Sequence, residues 1–157
     1  MLVEATVSAR HERDLRARGA VEPAGDVYKV MQVAYPACFV ALLAEGALRQ
    51  PVWDLWMAAG CAVFGAAKAL KYWAIATLGT RWTFRVLVPP GENRIVRGPY
   101  SWIRHPNYVA VAGELIGAAL AMHAIVTGIP AVALFTFLML RRIGVEENAL
   151  AEGRIRR

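Results

Sequence analysis

Two short strings in the sequence combine residue types that bind charged ligands. The first, residues 97–108, reads Arg-Gly-Pro-Tyr-Ser-Trp-Ile-Arg-His-Pro-Asn-Tyr. Pro106 suits the first turn of a helix, and it pushes the preceding His105 into an extended conformation. The string therefore predicts a helix that begins at Pro106 and presents His105, Asn107 and Tyr108 around its N-terminus. The unpaired N–H groups and the positive dipole end of such a terminus suit a carboxylate ligand.

The same string is also typical of an anchor at a membrane interface. In this alternative, aromatic side chains lie at the level of the lipid headgroups and Arg104 binds a phosphate. The aromatic residues concerned are Tyr100, Trp102 and Tyr108. Residue types alone do not decide between a ligand site and an anchor.

The second string, residues 141–150, reads Arg-Arg-Ile-Gly-Val-Glu-Glu-Asn-Ala-Leu. Arg142 and Glu146 are four residues apart, so they share one face of a helix. A carboxylate there can hold an ammonium group or offset a sulfonium charge, and the arginine can bind an acidic oxygen. The alternative is an arginine that snorkels beside solvated glutamates. Because arginine before glutamate is the weaker orientation for a pair that only stabilises a helix, the order slightly favours a ligand.

Glu114 lies within an apolar stretch, and an ionisable residue at membrane depth is a functional hypothesis by default. We expect Glu114 to face a ligand cavity. The alternative is a polar contact between helices, which Gly113 and Gly117 favour because their small-xxx-small spacing permits close helix approach. His123, further along the chain, is predicted to be structural.

Apolar helices must position these residues. The chain of 157 residues is 57% hydrophobic with a mean hydropathy of +0.38, which is too apolar for an ordinary soluble domain of this size. The sequence predicts an all-α fold, a multi-pass transmembrane helical bundle that forms a single domain over residues 1–157. About four spans are predicted, joined by a polar loop over residues 79–105. The predicted spans are residues 27–48, 52–78, 106–122 and 127–143.

The basic residues indicate how the spans are oriented. If the spans alternate, 17 of the 18 Lys and Arg residues fall on one side of the membrane. Since basic residues collect on the cytoplasmic side, both termini and the loop 79–105 are predicted to be cytoplasmic. The first 29 residues hold no apolar signal-peptide core, so we expect the chain to begin in the cytoplasm. Usage rich in Ala, Arg and Val hints at a bacterial cell membrane.

Charge and motifs exclude several function classes. The net charge of +6 is spread between apolar stretches, so its expected partners are membrane lipids and not nucleic acid. The sequence shows neither a Cys/His cluster with metal-ligand spacing nor a hydrolase triad or phosphate loop. No metal site is therefore predicted. Cys38 and Cys61 are predicted to be small buried hydrophobic residues.

The two strings resemble the motifs of the isoprenylcysteine carboxyl methyltransferase family. That family carries Arg-His-Pro-x-Tyr before one helix and Glu-Glu-x-x-Leu after the last, and residues 104–108 and 146–150 match these patterns. The resemblance runs weakly from about Ser8 and strongly from about Leu78 to Leu150.

The resemblance implies a site for S-adenosylmethionine, with S-adenosylhomocysteine as its product. The implied cofactor contacts are Glu92, Asn93, Arg94, Ile95, Tyr100, His105, Pro106, Asn107, Tyr108 and Glu146. Arg142 matches the family's acceptor-binding arginine, and Glu114 is expected to face the acceptor. Arg142 and Glu146 are therefore the expected catalytic residues.

A finer resemblance concerns the methyl acceptor. The pattern Leu-Gly-x-Arg-Trp-Thr over residues 78–83, with residues 105–108 and Glu114, is similar to the bacterial subgroup associated with type III polyketide synthases. Those members are thought to O-methylate alkylpyrones or alkylresorcinols. Compared with the family pattern, we expect neither the additional N-terminal span nor the longer aromatic tail, so prenylated protein is not the expected acceptor. We expect methyl transfer to an enol, phenol or carboxylate oxygen of a lipophilic acceptor that enters from the bilayer.

Three other functions fit parts of the same sequence. A phospholipid or amine N-methyltransferase shares both motifs. A membrane reductase of the sterol-reductase type has a similar C-terminal helix pair but binds NADPH. A membrane scaffold without enzymatic activity binds neither cofactor.

Overall fold

Five α-helices make up most of the chain. A computed structural model describes the backbone of residues 2–87 and 95–155, and the side chains of residues 4–87 and 95–148. The helices are α1 (Leu2–Ala17), α2 (Tyr28–Arg49), α3 (Leu55–Leu78), α4 (Pro106–Ala121) and α5 (Ile125–Ile155). Two short 3-10 helices cover Gly79–Arg81 and Gly98–Ser101, and the described ranges contain no strand. The prediction of an all-α fold is confirmed.

Two of the described helices are long and apolar enough to cross a membrane. They are α2 and the part of α5 from Ile125 to Asn148. The 16 residues of α4 extend for about 24 Å, which is less than the roughly 30 Å of a bilayer's hydrocarbon core. Apolar side chains on the outside of α2 and α5 are solvent-exposed in the isolated chain, as expected of helices that contact lipid. They include Val33, Val40, Leu43, Leu134, Phe137 and Leu140.

One cysteine does not lie where the sequence predicted. Cys38 is buried, whereas Cys61 is exposed on α3. Cys61 follows Gly60, which packs against α4, and therefore points away from that interface. In a helix that contacts lipid, an apolar side chain need not be buried in the protein.

Small residues let α3 and α4 pack with their backbones in close contact. An added Cβ at Gly117 would lie 2.6 Å from the backbone N of Phe64 and 2.8 Å from the carbonyl O of Gly60. An added Cβ at Gly113 would lie 3.0 Å from the Cβ of Ala67. The close approach predicted from the spacing of Gly113 and Gly117 is therefore confirmed.

We expect Gly117→Ala to lower the free energy of unfolding by about 1–3 kcal/mol, since the new methyl group meets backbone atoms that cannot move aside. Gly65→Ala is the matched control, because a Cβ there meets nothing within 4 Å. That control should gain up to about 1 kcal/mol from helix propensity. Thermal unfolding in detergent micelles measures both variants. Equal stability of the two would contradict the packing described here.

Residues 45–54 and 122–128 form one end of the bundle, here called the hairpin end. Side chains there join the helices. Asp54 accepts a hydrogen bond from Met57 N at 2.8 Å, and His123 Nε2 lies 3.0 Å from the other Asp54 oxygen. The Met57 N–H and then His123 hold the pKa of Asp54 below its usual value. Glu45 on α2 accepts hydrogen bonds from the first turn of α5, including Thr127 N at 2.7 Å. His123 thus has a structural contact, in agreement with the prediction.

Helix α1 has no counterpart in the predicted spans. It packs against residues 82–86, a segment here called the strap. Ser8 Oγ accepts a hydrogen bond from Phe84 N at 2.8 Å, and His11 Nδ1 lies 2.8 Å from the carbonyl O of Trp82. Because a carbonyl only accepts, His11 must donate through Nδ1. The Phe84 ring also stacks on Tyr28 with centroids 6.3 Å apart, so the strap lies between α1 and the start of α2.

Candidate active site

The first turn of α4 contacts the part of α5 that contains the second string, residues 141–150. The Tyr108 hydroxyl donates a hydrogen bond to Glu146 Oε2 at 3.3 Å, and His105 Nδ1 lies 3.7 Å from the same oxygen. The rings of His105 and Tyr108 stack with their centroids 5.5 Å apart. Residues separated by 38 positions in the chain thus form one group, here called the α4–α5 cluster: His105, Asn107, Tyr108 and Glu146.

The N-terminus of α4 has the geometry that the first string predicts. The helix begins at Pro106, and His105 precedes it with φ −130° and ψ 66°. The His105 side chain forms no capping hydrogen bond at this terminus. Within the same part of the chain, His105 Nε2 and Asn107 Oδ1 are buried without a hydrogen-bond partner. Buried polar atoms that lack a partner are costly, so this terminus is suited to a polar ligand.

The two adjacent glutamates of α5 have different environments. The side chain of Glu146 is 32% exposed and contacts the α4–α5 cluster. The side chain of Glu147 is 44% exposed, and its Oε1 lies 3.5 Å from Arg104 Nη1 and 3.6 Å from His105 Nε2. Glu147 therefore lies at the rim, and Glu146 is the inner carboxylate.

Arg142 is buried one turn before Glu146 on α5. Its Nη2 donates a hydrogen bond to the carbonyl O of Phe84 in the strap, and its Nε lies 3.4 Å from Asp26 Oδ1. Its guanidinium carbon lies 5.7 Å from the centre of the Tyr28 ring. With 8% of its surface exposed, Arg142 does not snorkel. It is enclosed by α5, the start of α2 and the strap.

Glu114 is completely buried and contacts other helices. It accepts a hydrogen bond from the Tyr35 hydroxyl on α2, and its Oε1 lies 3.2 Å from Lys68 Nζ and 3.6 Å from Lys71 Nζ on α3. Lys71 Nζ is also 3.5 Å from Glu4 Oε2 on α1. We call this group the buried ionic cluster: Glu4, Tyr35, Lys68, Lys71 and Glu114.

This cluster was not predicted from the sequence. Lysines near the end of a predicted span ordinarily snorkel, but Lys71 is only 4% exposed. Two interpretations of Glu114 followed from the sequence: a residue facing a ligand cavity, or a polar contact between helices. Its observed contacts fit the second. Glu114 and Arg142 have different partners. One partner of each lies on α2, and these two are a single turn apart. Arg142 Nη1 is 3.9 Å from Met31 Sδ, and Glu114 accepts a hydrogen bond from the Tyr35 hydroxyl.

The remaining predicted cofactor contacts are located only in part. Ile95 and Tyr100 are half-buried, Tyr100 lying in the 3-10 helix before α4, and Pro106 is buried. Glu92, Asn93 and Arg94 lie outside the described residues.

Sequence reasoning missed several groups that surround Arg142. Asp26 carried a signal, because an acidic residue just before an apolar helix marks a helix start. The backbone carbonyl group of Phe84 carried no sequence signal, since every residue has such a group. Tyr28 could be recognised only as an interface aromatic residue.

The fold and the site define a helical protein with two helices apolar enough to cross a membrane. A polar cluster with unsatisfied atoms lies at the start of α4 and on α5. A family model described as the isoprenylcysteine carboxyl methyltransferase (ICMT) family matches residues 58–152. The chain is 31% identical over 150 residues to the uncharacterized protein YpbQ of Bacillus subtilis, covering 95% of this chain and 89% of that protein. It is 28% identical over 148 residues to an uncharacterized protein of Haemophilus influenzae, covering 93% and 86%. No solved structure matches.

The chain therefore belongs to the isoprenylcysteine carboxyl methyltransferase family. This is a family of membrane methyltransferases, and its members generally use S-adenosylmethionine.

Proposed function

We propose that this protein transfers a methyl group from S-adenosylmethionine to an acidic oxygen of a lipophilic acceptor in the membrane. The observation that carries the proposal is the contact between Tyr108 and Glu146, which joins both family motifs in one cluster. A bundle that kept these residues apart would give the two motifs no common ligand.

The donor set of the α4–α5 cluster fits S-adenosylmethionine. The uncapped N-terminus of α4 suits the carboxylate of the methionine moiety. Glu146 suits the ammonium group or the sulfonium charge. His105 Nε2 and Asn107 Oδ1, which lack hydrogen-bond partners among the described residues, would supply further polar contacts, and Tyr108 would form a wall of the pocket. Ile95, Tyr100 and residues 92–94 remain predicted contacts.

When bound, S-adenosylmethionine supplies an electrophilic methyl group and leaves as S-adenosylhomocysteine. Arg142 would bind and orient the anionic oxygen of the acceptor, because a buried guanidinium attracts an oxyanion more strongly than a solvated one. The helices around it would exclude water and hold the reactants in line. A carboxylate or an acidic enol is already ionised near neutral pH and reacts without a strong general base. A phenol has a pKa of about 10, so it would lose its proton to water as Arg142 stabilises the phenolate.

The proposal includes four membrane crossings by α2 to α5, with the termini and residues 79–105 in the cytoplasm. It is supported by the charge pattern, since the hairpin end carries only Arg49 among the Lys and Arg residues. Hydrophobic mismatch of the short α4 can be accommodated by local thinning of the bilayer. The acceptor would enter from the bilayer between helices, while the methyl donor would enter from the cytoplasm.

An acceptor panel tests the reaction. Purified protein is incubated with isotopically labelled S-adenosylmethionine and a long-chain alkylpyrone, an alkylresorcinol or phosphatidylethanolamine in vesicles. We expect label in the alkylpyrone or alkylresorcinol, the acceptors of the resembling bacterial subgroup. Label in phosphatidylethanolamine alone would identify an N-methyltransferase and contradict O-methylation.

Arg142→Lys is expected to raise the KM for the acceptor about tenfold while leaving the KM for S-adenosylmethionine within about twofold. Lysine keeps the charge but loses the planar fork that binds an oxyanion through two N–H groups. Steady-state kinetics with the acceptor that the wild-type protein methylates measures both constants. Arg141→Lys is the control, because Arg141 is exposed on the same helix. An unchanged acceptor KM in Arg142→Lys would show that Arg142 does not bind the acceptor.

A further inference from the structure

Asp26 lies at the junction of three elements that enclose Arg142. Its Oδ1 accepts a hydrogen bond from Tyr28 N at 3.1 Å, at the start of α2. Its Oδ2 accepts one from Val86 N in the strap at 3.3 Å. The side chain is only 4% exposed, and its Oδ1 is 3.4 Å from Arg142 Nε. One carboxylate therefore contacts α2, the strap and α5.

These contacts restrict the position of the arginine. The Asp26 carboxylate forms an ion pair with Nε without a hydrogen bond, and the Phe84 carbonyl accepts a hydrogen bond from Nη2. The Nη1 atom has only the sulfur of Met31 within bonding distance among the described contacts, at 3.9 Å, which is a weak acceptor. A guanidinium fixed along one edge in this way keeps N–H groups of its other edge available for an anionic ligand.

We infer that Asp26 is a positioning residue for methyl transfer, which orients Arg142 toward the anionic oxygen of the acceptor. This inference rests on the proposed function. Asp26 lies before residues 58–152, the region that the family model covers, so the family match assigns it no role. It acts through Arg142 and contacts neither the methyl donor nor the acceptor.

A neighbouring ion pair provides a matched control. Glu22 binds Arg85, the other arginine beside Tyr28, with Glu22 Oε1 2.7 Å from Arg85 Nη1. Burial raises the pKa of Glu22, but hydrogen bonds from Arg85 and Arg16 outweigh this effect and lower it below the usual value. Glu22 therefore carries a comparable charge on the same approach to the strap without touching Arg142.

The test is a double-mutant cycle of Asp26→Asn and Arg142→Lys, with Glu22→Gln as control. Asparagine has nearly the same shape as aspartate and keeps an oxygen for Tyr28 N or Val86 N, but it lacks the charge that pairs with Arg142. The acceptor is the one methylated by the wild-type protein in the panel above. The readouts are the KM for that acceptor, the KM for S-adenosylmethionine and the affinity for S-adenosylhomocysteine.

We expect Asp26→Asn to raise the acceptor KM about tenfold and to leave the KM for S-adenosylmethionine and the affinity for S-adenosylhomocysteine within about twofold. In the Arg142→Lys background, the same substitution should raise the acceptor KM by a further factor of less than about two, because the group through which Asp26 acts is already altered. Glu22→Gln should leave the acceptor KM within about twofold. If Asp26→Asn does not fold, Asp26→Glu replaces it; this variant keeps the charge but displaces it and is also expected to raise the acceptor KM alone.

Two results would overturn the inference while leaving the proposed function intact. One is an unchanged acceptor KM in Asp26→Asn, and the other is a tenfold effect that persists in full in the Arg142→Lys background. A wild-type protein that does not bind S-adenosylhomocysteine would instead refute the proposed function. A wild-type protein that binds it but labels phosphatidylethanolamine alone would refute acidic-oxygen transfer and this inference with it.

Discussion

Glu146→Gln is expected to weaken the binding of S-adenosylhomocysteine by about 100-fold, the largest effect on ligand binding that the structure predicts. Glu146 is the inner carboxylate of the α4–α5 cluster, bound to Tyr108 and 3.7 Å from His105 Nδ1. Glutamine keeps the size of the side chain but removes the negative charge that would pair with the ligand's ammonium group. Isothermal titration of purified protein in detergent measures the Kd.

The control for this substitution is Asp14→Asn, which also removes one carboxylate charge. Asp14 is exposed on α1, and its variant should bind S-adenosylhomocysteine with a Kd within about twofold of the wild-type value. Comparable Kd values for Glu146→Gln and Asp14→Asn would show that Glu146 does not contact the ligand.

Glu114→Gln is expected to lower the free energy of unfolding by about 3–5 kcal/mol, because it leaves the buried Lys71 and the half-buried Lys68 without their main partner. Glu114 balances Lys68 and Lys71, and Lys71 is too deeply buried to recover its hydration. Glu4 alone would remain near Lys71, at 3.5 Å. Chemical unfolding in detergent, followed by tryptophan fluorescence, measures the loss.

Glu147→Gln is the matched control for Glu114→Gln. Glu147 pairs with Arg104 at 3.5 Å, but their side chains are 44% and 76% exposed, so losing this pair should cost less than about 1 kcal/mol. A loss of similar size in both variants would contradict the account of the buried ionic cluster as a major contributor to stability.

The start of α4 and the meeting of the two motifs could be predicted from sequence. Pro106 fixes where α4 begins, because proline is tolerated in a first turn and restricts the residue before it. The spacing of Gly113 and Gly117 indicated a close helix contact by the same kind of local rule. Such signals are readable because they depend on the backbone near one residue.

The buried ionic cluster and the surroundings of Arg142 could not be predicted in the same way. The apolar pattern shows that Lys71 interrupts a span, but not that Glu4 and Glu114 come from other helices to pair with it. The partner of Arg142 Nη2 is a backbone carbonyl, for which no side-chain signal exists. Contacts between distant segments depend on the packing of the whole bundle.

Helices α1 and α5 show a second limit of sequence patterns. Helix α1 lacks a long apolar stretch, and contacts of Ser8 and His11 with the strap help to hold it. Helix α5 continues beyond the predicted end of its apolar span at residue 143 and so carries Glu146 on a regular helix. The apolar pattern marks where lipid contact ends, which is not where a helix must end.

The claim that the α4–α5 cluster binds the methyl donor is tested most directly by titrating the purified wild-type protein with S-adenosylhomocysteine and, separately, with NADPH. The account predicts saturable binding of S-adenosylhomocysteine and no binding of NADPH. Binding of NADPH alone would point to a reductase, and binding of neither ligand would point to a scaffold; either result would contradict the account.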